Sequence, residues 1–191
     1  MKHLFKAASI VLLGLLCVPI FMLAENVARP ELVREVLDGK RNEARVLSWG
    51  FDAKDSTSFL QNAINSKVKK LIIDKKESPW ITRPLTGVSD QEIVFEEGTE
   101  LVALHGAFHP KGDCMLSHDT CANVIIRGEG KNVKRPCIRM HKADYQSSAY
   151  EKSEWRHGLN FLSCRNVRVQ GLAIEQTGAM AFIWALQETS P

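Results

Sequence analysis

The side chains best suited to chemistry gather in one stretch, residues 139–157. It holds Arg139, His141, Lys142, Asp144, Tyr145, Tyr150, Glu151, Glu154, Trp155, Arg156 and His157. Aromatic faces of this kind stack on sugar rings, and Arg or Lys pairs with uronate carboxylates. Abstraction of the proton α to a uronate carboxyl needs a base and a cation beside the developing enolate, for which Arg156 and Lys142 are the candidates. Glycoside hydrolysis instead needs two carboxyl groups about 5–10 Å apart across a sugar. Asp144 and Glu154 are the pair available in this stretch. A solvated loop with Trp155 packed on the layer below is the plain alternative. No spacing here assigns a catalytic residue.

A second cluster could bind metal or cross-link. His105, His109, Cys114, His118 and Cys121 lie close in sequence, and Cys114-x3-His118-x2-Cys121 has ligand-like spacing. It matches no standard zinc finger, so no metal is expected. Cys114, Cys121, Cys137 and Cys164 are the disulfide candidates, and four cysteines permit three complete pairings. A Cys114–Cys121 loop, a Cys121–Cys164 bridge between stacked layers and free thiols all stay open. No phosphate-binding loop, dinucleotide fingerprint or G-x-S-x-G elbow is present.

The N-terminus bears on these options. Lys2 and Lys6 precede an uncharged stretch from Ala7 to Ala24, which Glu25 ends. This is the pattern of a secretory signal over residues 1–24, with cleavage after Ala24. An uncleaved membrane anchor is the alternative, and would be the one route to a membrane partner. Leu16 before Cys17 argues against lipidation. The expected location is exported: periplasmic, extracellular or at the cell surface, where disulfides are permitted. The net charge of +3 falls to +1 without the two lysines, so nothing electrostatic points to nucleic acid. The Lys67–Lys76 cluster reads as a solvated face.

The elements that must position these residues are short. Residues 25–48 form a lead-in segment, helical or irregular. Residues 55–66 read as a helix, with Asp55 or Ser56 as cap and Phe59, Leu60, Ala63 and Ile64 as its apolar stripe. Beyond it, apolar runs rich in β-branched residues recur between turn residues: 71–73, 93–95, 124–126 and 167–169, with secondary runs at 80–82, 101–104, 137–140 and 172–174. Cys121–Gly128 and Cys164–Gly171 share the pattern C-x-N-V-x-[IV]-x-G at an offset of 43. Self-similar strands without hairpin signals predict a solenoid. Asn123 and Asn166 suit a left-handed turn before the strand, and their amides can stack between layers.

These residues resemble a known group. Trp49-Gly50-Phe51-Asp52-Ala53, Asp55-Ser56-Thr57 and Leu60-Gln61-Asn62-Ala63-Ile64 are similar to the opening motif G-A-x-x-D-x-T-x-A-L-Q-x-A-I of pectate-lyase-like proteins. Ile93 to Gly98 resembles a rung of that family, and Glu154 to Leu172 a segment of its exported bacterial members. The resemblance covers about residues 45–178. It implies an all-β, right-handed parallel β-helix, here an incomplete solenoid with a short N-terminal helix cap, over residues 49–178. It implies polysaccharide as the partner and lyase or hydrolase chemistry, with a non-catalytic binding or surface protein as the alternative. No cofactor is evident, though full-length relatives can use calcium.

Residues 179–191 depart from that pattern. After Gln176-Thr177-Gly178 the family commonly continues G-D-G-I-Y-[LV]-G, where this chain has Ala179 to Ala185. With permissible codons, a shifted reading frame over these residues encodes Gly-Asp-Gly-Ile-Tyr-Leu-Gly. The expectation is a frameshifted, truncated product, inactive alone, whose apolar tail folds back over the last layer or stays exposed.

Overall fold

The computed structural model describes residues 28–130, 134–178 and 180–185. The expected secretory signal, residues 1–24, lies outside the described residues, as do Ala179 and residues 186–191 of the tail.

Helix α1 (Pro30–Leu37) starts on a proline, which costs nothing in a first turn whose N–H groups have no helical partner. Strand β1 (Glu43–Arg45) and a 3₁₀ turn (Val46–Ser48) lead to helix α2 (Thr57–Asn65). Asp55 Oδ1 accepts the Thr57 N–H at 3.0 Å, and α2 buries Leu60, Ala63 and Ile64. Phe59, the fourth member of the expected stripe, is half-buried against Gly50, where a Cβ would come within 2.7 Å of its ring.

Short strands follow: β2 (Lys70–Ile73), β3 (Trp80–Thr82), β4 (Leu85–Thr86), β5 (Glu92–Phe95), β6 (Glu100–Ala103), β7 (Leu116–Asp119), β8 (Ala122–Gly128) and β9 (Cys137–Arg139). Helix α3 (Lys142–Tyr145) precedes β10 (Leu159–Leu162), β11 (Arg165–Gln170), β12 (Ala173–Glu175) and β13 (Phe182–Ala185). They form three sheets, ordered β1-β2-β5-β8-β11, β13-β10-β7-β4 and β12-β9-β6-β3. Each pairing in them is parallel.

Register aligns like with like. Trp80, Leu101 and Ile138 form one buried column, and Leu85, Leu116 and Leu159 another. Burying such a side chain contributes about 1.5–3 kcal/mol, so a slip of one residue, which turns the column outward, is strongly disfavoured. Val124 pairs with Val167, as the repeat predicts. Asn123 and Asn166 both have positive φ, and Asn166 Nδ2 donates to Asn123 Oδ1 at 2.8 Å. The glycines that end the repeat meet: a Cβ on Gly128 would lie 2.3 Å from the Gly171 carbonyl oxygen.

The expected all-β, right-handed parallel β-helix is corrected. The strands lie in three separate parallel sheets accompanied by helices, an arrangement of α/β type, and no closed solenoid is found among the described residues. The apolar runs specify parallel pairing and register, but closure depends on turns that the runs do not encode. Within the tail, Phe182–Ala185 pairs in parallel with β10. Among the described residues no helix is long and apolar enough to cross a membrane.

Candidate functional site

Strands β6 and β9 are neighbours in parallel register, so the chain leaves both at the same sheet edge. The segment after β6 (104–115) and the segment after β9 (140–158) therefore emerge side by side. Tyr150 Oη donates to the Ala107 carbonyl at 2.8 Å, and Ser153 Oγ to the Lys111 carbonyl at 2.6 Å. His109 and Tyr150 stack with centroids 4.4 Å apart and planes 5° from parallel. Lys111 Nζ lies 3.1 Å from Glu151 Oε2.

Arg156 is the central tie. Its side chain is fully buried. Nε donates to the Phe108 carbonyl at 2.8 Å, Nη2 to that of His109 at 2.7 Å and Nη1 to that of Glu151 at 3.0 Å. The Tyr145 and Tyr150 rings lie 5.5 and 5.4 Å from the guanidinium carbon, within cation–π range. All three guanidinium nitrogens are thus engaged with the backbone, so Arg156 positions loops and has no free face for a uronate.

The other expected groove residues separate by role. Tyr145 is buried, its Oη accepts the His141 N–H at 3.2 Å, and burial pushes its phenol up to about 12. His157 is buried, and its Nδ1 meets the Met180 carbonyl at 3.1 Å. Arg139 sits at the end of β9 between Glu100 (3.3 Å) and Glu175 (3.4 Å), already paired on the sheet surface. Lys142, Glu154 and Trp155 are exposed.

Trp155 is the large aromatic of this face turned to solvent, at 58% exposure, on a fixed backbone. Its N–H donates to Ser153 Oγ at 3.1 Å, and its carbonyl accepts the Cys114 thiol at 3.2 Å. Its ring meets His157 edge-on at 6.3 Å.

Cys114, Cys121, Cys137 and Cys164 are free and buried. The Cys114, Cys121 and Cys164 thiols each donate to a backbone carbonyl, and Cys121 and Cys164 also meet side chain to side chain without being bridged. Burial raises the Cys137 thiol to about 11, and raises Cys114 and Cys164 as well. The Cys114-x3-His118-x2-Cys121 spacing gathers no ligand set: the His118 ring is buried and stacked on Phe161 at 5.3 Å.

Three residues instead come together from the two segments: His105, His141 and Asp144, with one ligand-capable atom of each within 4.8 Å of the others. His105 Nδ1 lies 2.9 Å from Asp144 Oδ2, and the two imidazoles stack at 3.5 Å. Two imidazoles and one carboxylate do not suit calcium, which takes six to eight oxygens. Sequence reasoning placed His141 and Asp144 in the groove but had no signal linking them to His105, which lies on the preceding layer. It also missed Asp113, whose carboxyl is pushed up by burial against the opposing pull of Arg156 and His109.

No protein-family model and no curated protein matches this chain, so the pectate-lyase-like assignment gains no support from them. A solved structure similar to it, from Parabacteroides merdae, is provisionally described as a glycosyl hydrolase; the two share 18% identity at a TM-score of 0.48, over 73% of this chain and 78% of that one.

Proposed function

We propose that the chain engages an extended polysaccharide on the face built by residues 104–115 and 140–158. The observation that carries this reading is Trp155, a large ring left exposed on a backbone held from both sides. A ring already ordered before binding loses little freedom on stacking against a sugar. Arg156 is held by three backbone carbonyls and Arg139 is paired with two carboxylates, which supports binding over lyase turnover and leaves exposed Lys142 as the candidate cation for a uronate carboxyl.

Affinity electrophoresis of the full chain in gels containing polygalacturonate, alginate or neutral glycans tests the proposal. One polymer should retard the native chain, and Trp155→Ala should weaken that retardation about tenfold while leaving thermal stability unchanged. Equal retardation of both proteins, or none with any polymer, defeats the reading. Unsaturated products absorbing in the ultraviolet would establish lyase turnover, and new reducing ends would establish hydrolysis.

A further inference from the structure

We propose that His105, His141 and Asp144 form a binding site for a borderline divalent transition ion, of which Zn²⁺ is the representative. The inference is independent of the polysaccharide reading. Ligands of this type, two imidazoles and one carboxylate, suit zinc and its neighbours rather than magnesium or calcium.

His141 is prepared for the role. Its Nε2 faces the Ala103 carbonyl at 2.7 Å, which can only accept, so Nε2 carries the proton and Nδ1 keeps its lone pair. A backbone carbonyl on the far nitrogen is how metal-bound histidines are commonly oriented. His105 Nδ1 and Asp144 Oδ2 are 2.9 Å apart. Two ligands of a tetrahedral zinc with bonds of roughly 2.0–2.1 Å stand about 3.3 Å apart. An ion held by these two atoms displaces the hydrogen bond between them, with His105 reoriented about Asp144.

One movement is required. The imidazoles are stacked, 16° from parallel, so their in-plane lone pairs cannot converge on one ion. His141 is held by Ala103, so His105 turns; its side chain is 73% exposed and has room to do so. The neighbouring cation Arg139 is paired with Glu100 and Glu175, which limits its repulsion of an incoming ion. Three protein ligands leave the fourth position to water.

The test is isothermal titration calorimetry of the full chain with Zn²⁺, thiols kept reduced, for the native protein, His105→Ala and Asp144→Asn. One ion per chain is expected, with affinity at least about tenfold weaker in each variant. Because His105 is exposed, His105→Ala should keep the native melting temperature without metal and lose the rise that Zn²⁺ produces. Co²⁺ should give tetrahedral absorption bands without a thiolate charge-transfer band. No binding by the native chain, unchanged affinity in both variants, or a thiolate band each overturns the proposal.

Discussion

Replacing Arg156 by Met tests what holds the loop face together. Met keeps an apolar stem between Tyr145 and Tyr150 and removes the guanidinium alone. The native side chain makes three hydrogen bonds, to the carbonyls of Phe108, His109 and Glu151, from a fully buried position. Hydrogen bonds from a charged donor contribute about 1.5–3 kcal/mol each. They are not additive, and water can enter to solvate the freed carbonyls. Breaking a buried charged network by removing one partner costs about 3–5 kcal/mol, which is the expected loss here. Arg156→Lys keeps the charge but cannot reach three diverging carbonyls, so about 2–3 kcal/mol is expected. Urea unfolding followed by far-ultraviolet circular dichroism reads the difference. With a slope of about 2 kcal/mol per molar, the Met variant should unfold at a midpoint lower by about 2 M. Limited proteolysis should cut residues 104–115 sooner in the Met variant, since the tie to residues 140–158 is lost. A Met variant within about 1 kcal/mol of the native chain would refute the reasoning.

Two further outcomes follow from buried or strained positions. Burial lowers the His118 imidazole from 6.5 to about 4. Between these values the unfolded chain binds a proton that the folded chain refuses, so stability is fully present above about pH 6.5 and falls as pH drops toward 4. The loss is on the order of 3 kcal/mol, and the native-minus-variant stability difference against His118→Asn should show that slope. Equal pH profiles for the two proteins would contradict it. Asn123 stands at φ 56°, accepts from Asn166 and donates to Asp90 Oδ1 at 2.7 Å. Asn123→Gly should cost less than Asn123→Ala, which adds about 1–2 kcal/mol of left-handed strain to the same lost hydrogen bonds; thermal denaturation of the pair decides, and equal losses would show that strain is not the cause.

Two of the three sheets were legible in the residues, and the third was not. The runs at 71–73, 93–95, 124–126 and 167–169 became β2, β5, β8 and β11, and the secondary runs became β3, β6, β9 and β12. Both sets are dense in β-branched or large apolar side chains. Strands β4, β7, β10 and β13 went unseen, as did the edge strand β1 within the lead-in segment. Leu85-Thr86 is too short to show alternation, and Leu116-Ser117-His118-Asp119 turns a histidine inward, where pattern reading expects an apolar residue. That histidine is tolerated because it is neutral, stacks on Phe161, and faces Gly87, where any Cβ would fall 2.0 Å from its Nε2. The missing signal at His118 is thus spread over three residues from three different strands or turns. The same logic governs the site. Composition singled out residues 139–157, but it could not separate Arg156, which is buried as a strut, from Trp155 beside it, which is exposed. That division is made by partners on the preceding segment: the carbonyls of Phe108 and His109 draw the guanidinium inward, and Cys114 fixes the Trp155 backbone facing out. Backbone carbonyls carry no residue identity, so no reading of side-chain types could have found the first of these. The second could be sought, since a thiol is an unusual residue for a solvated loop.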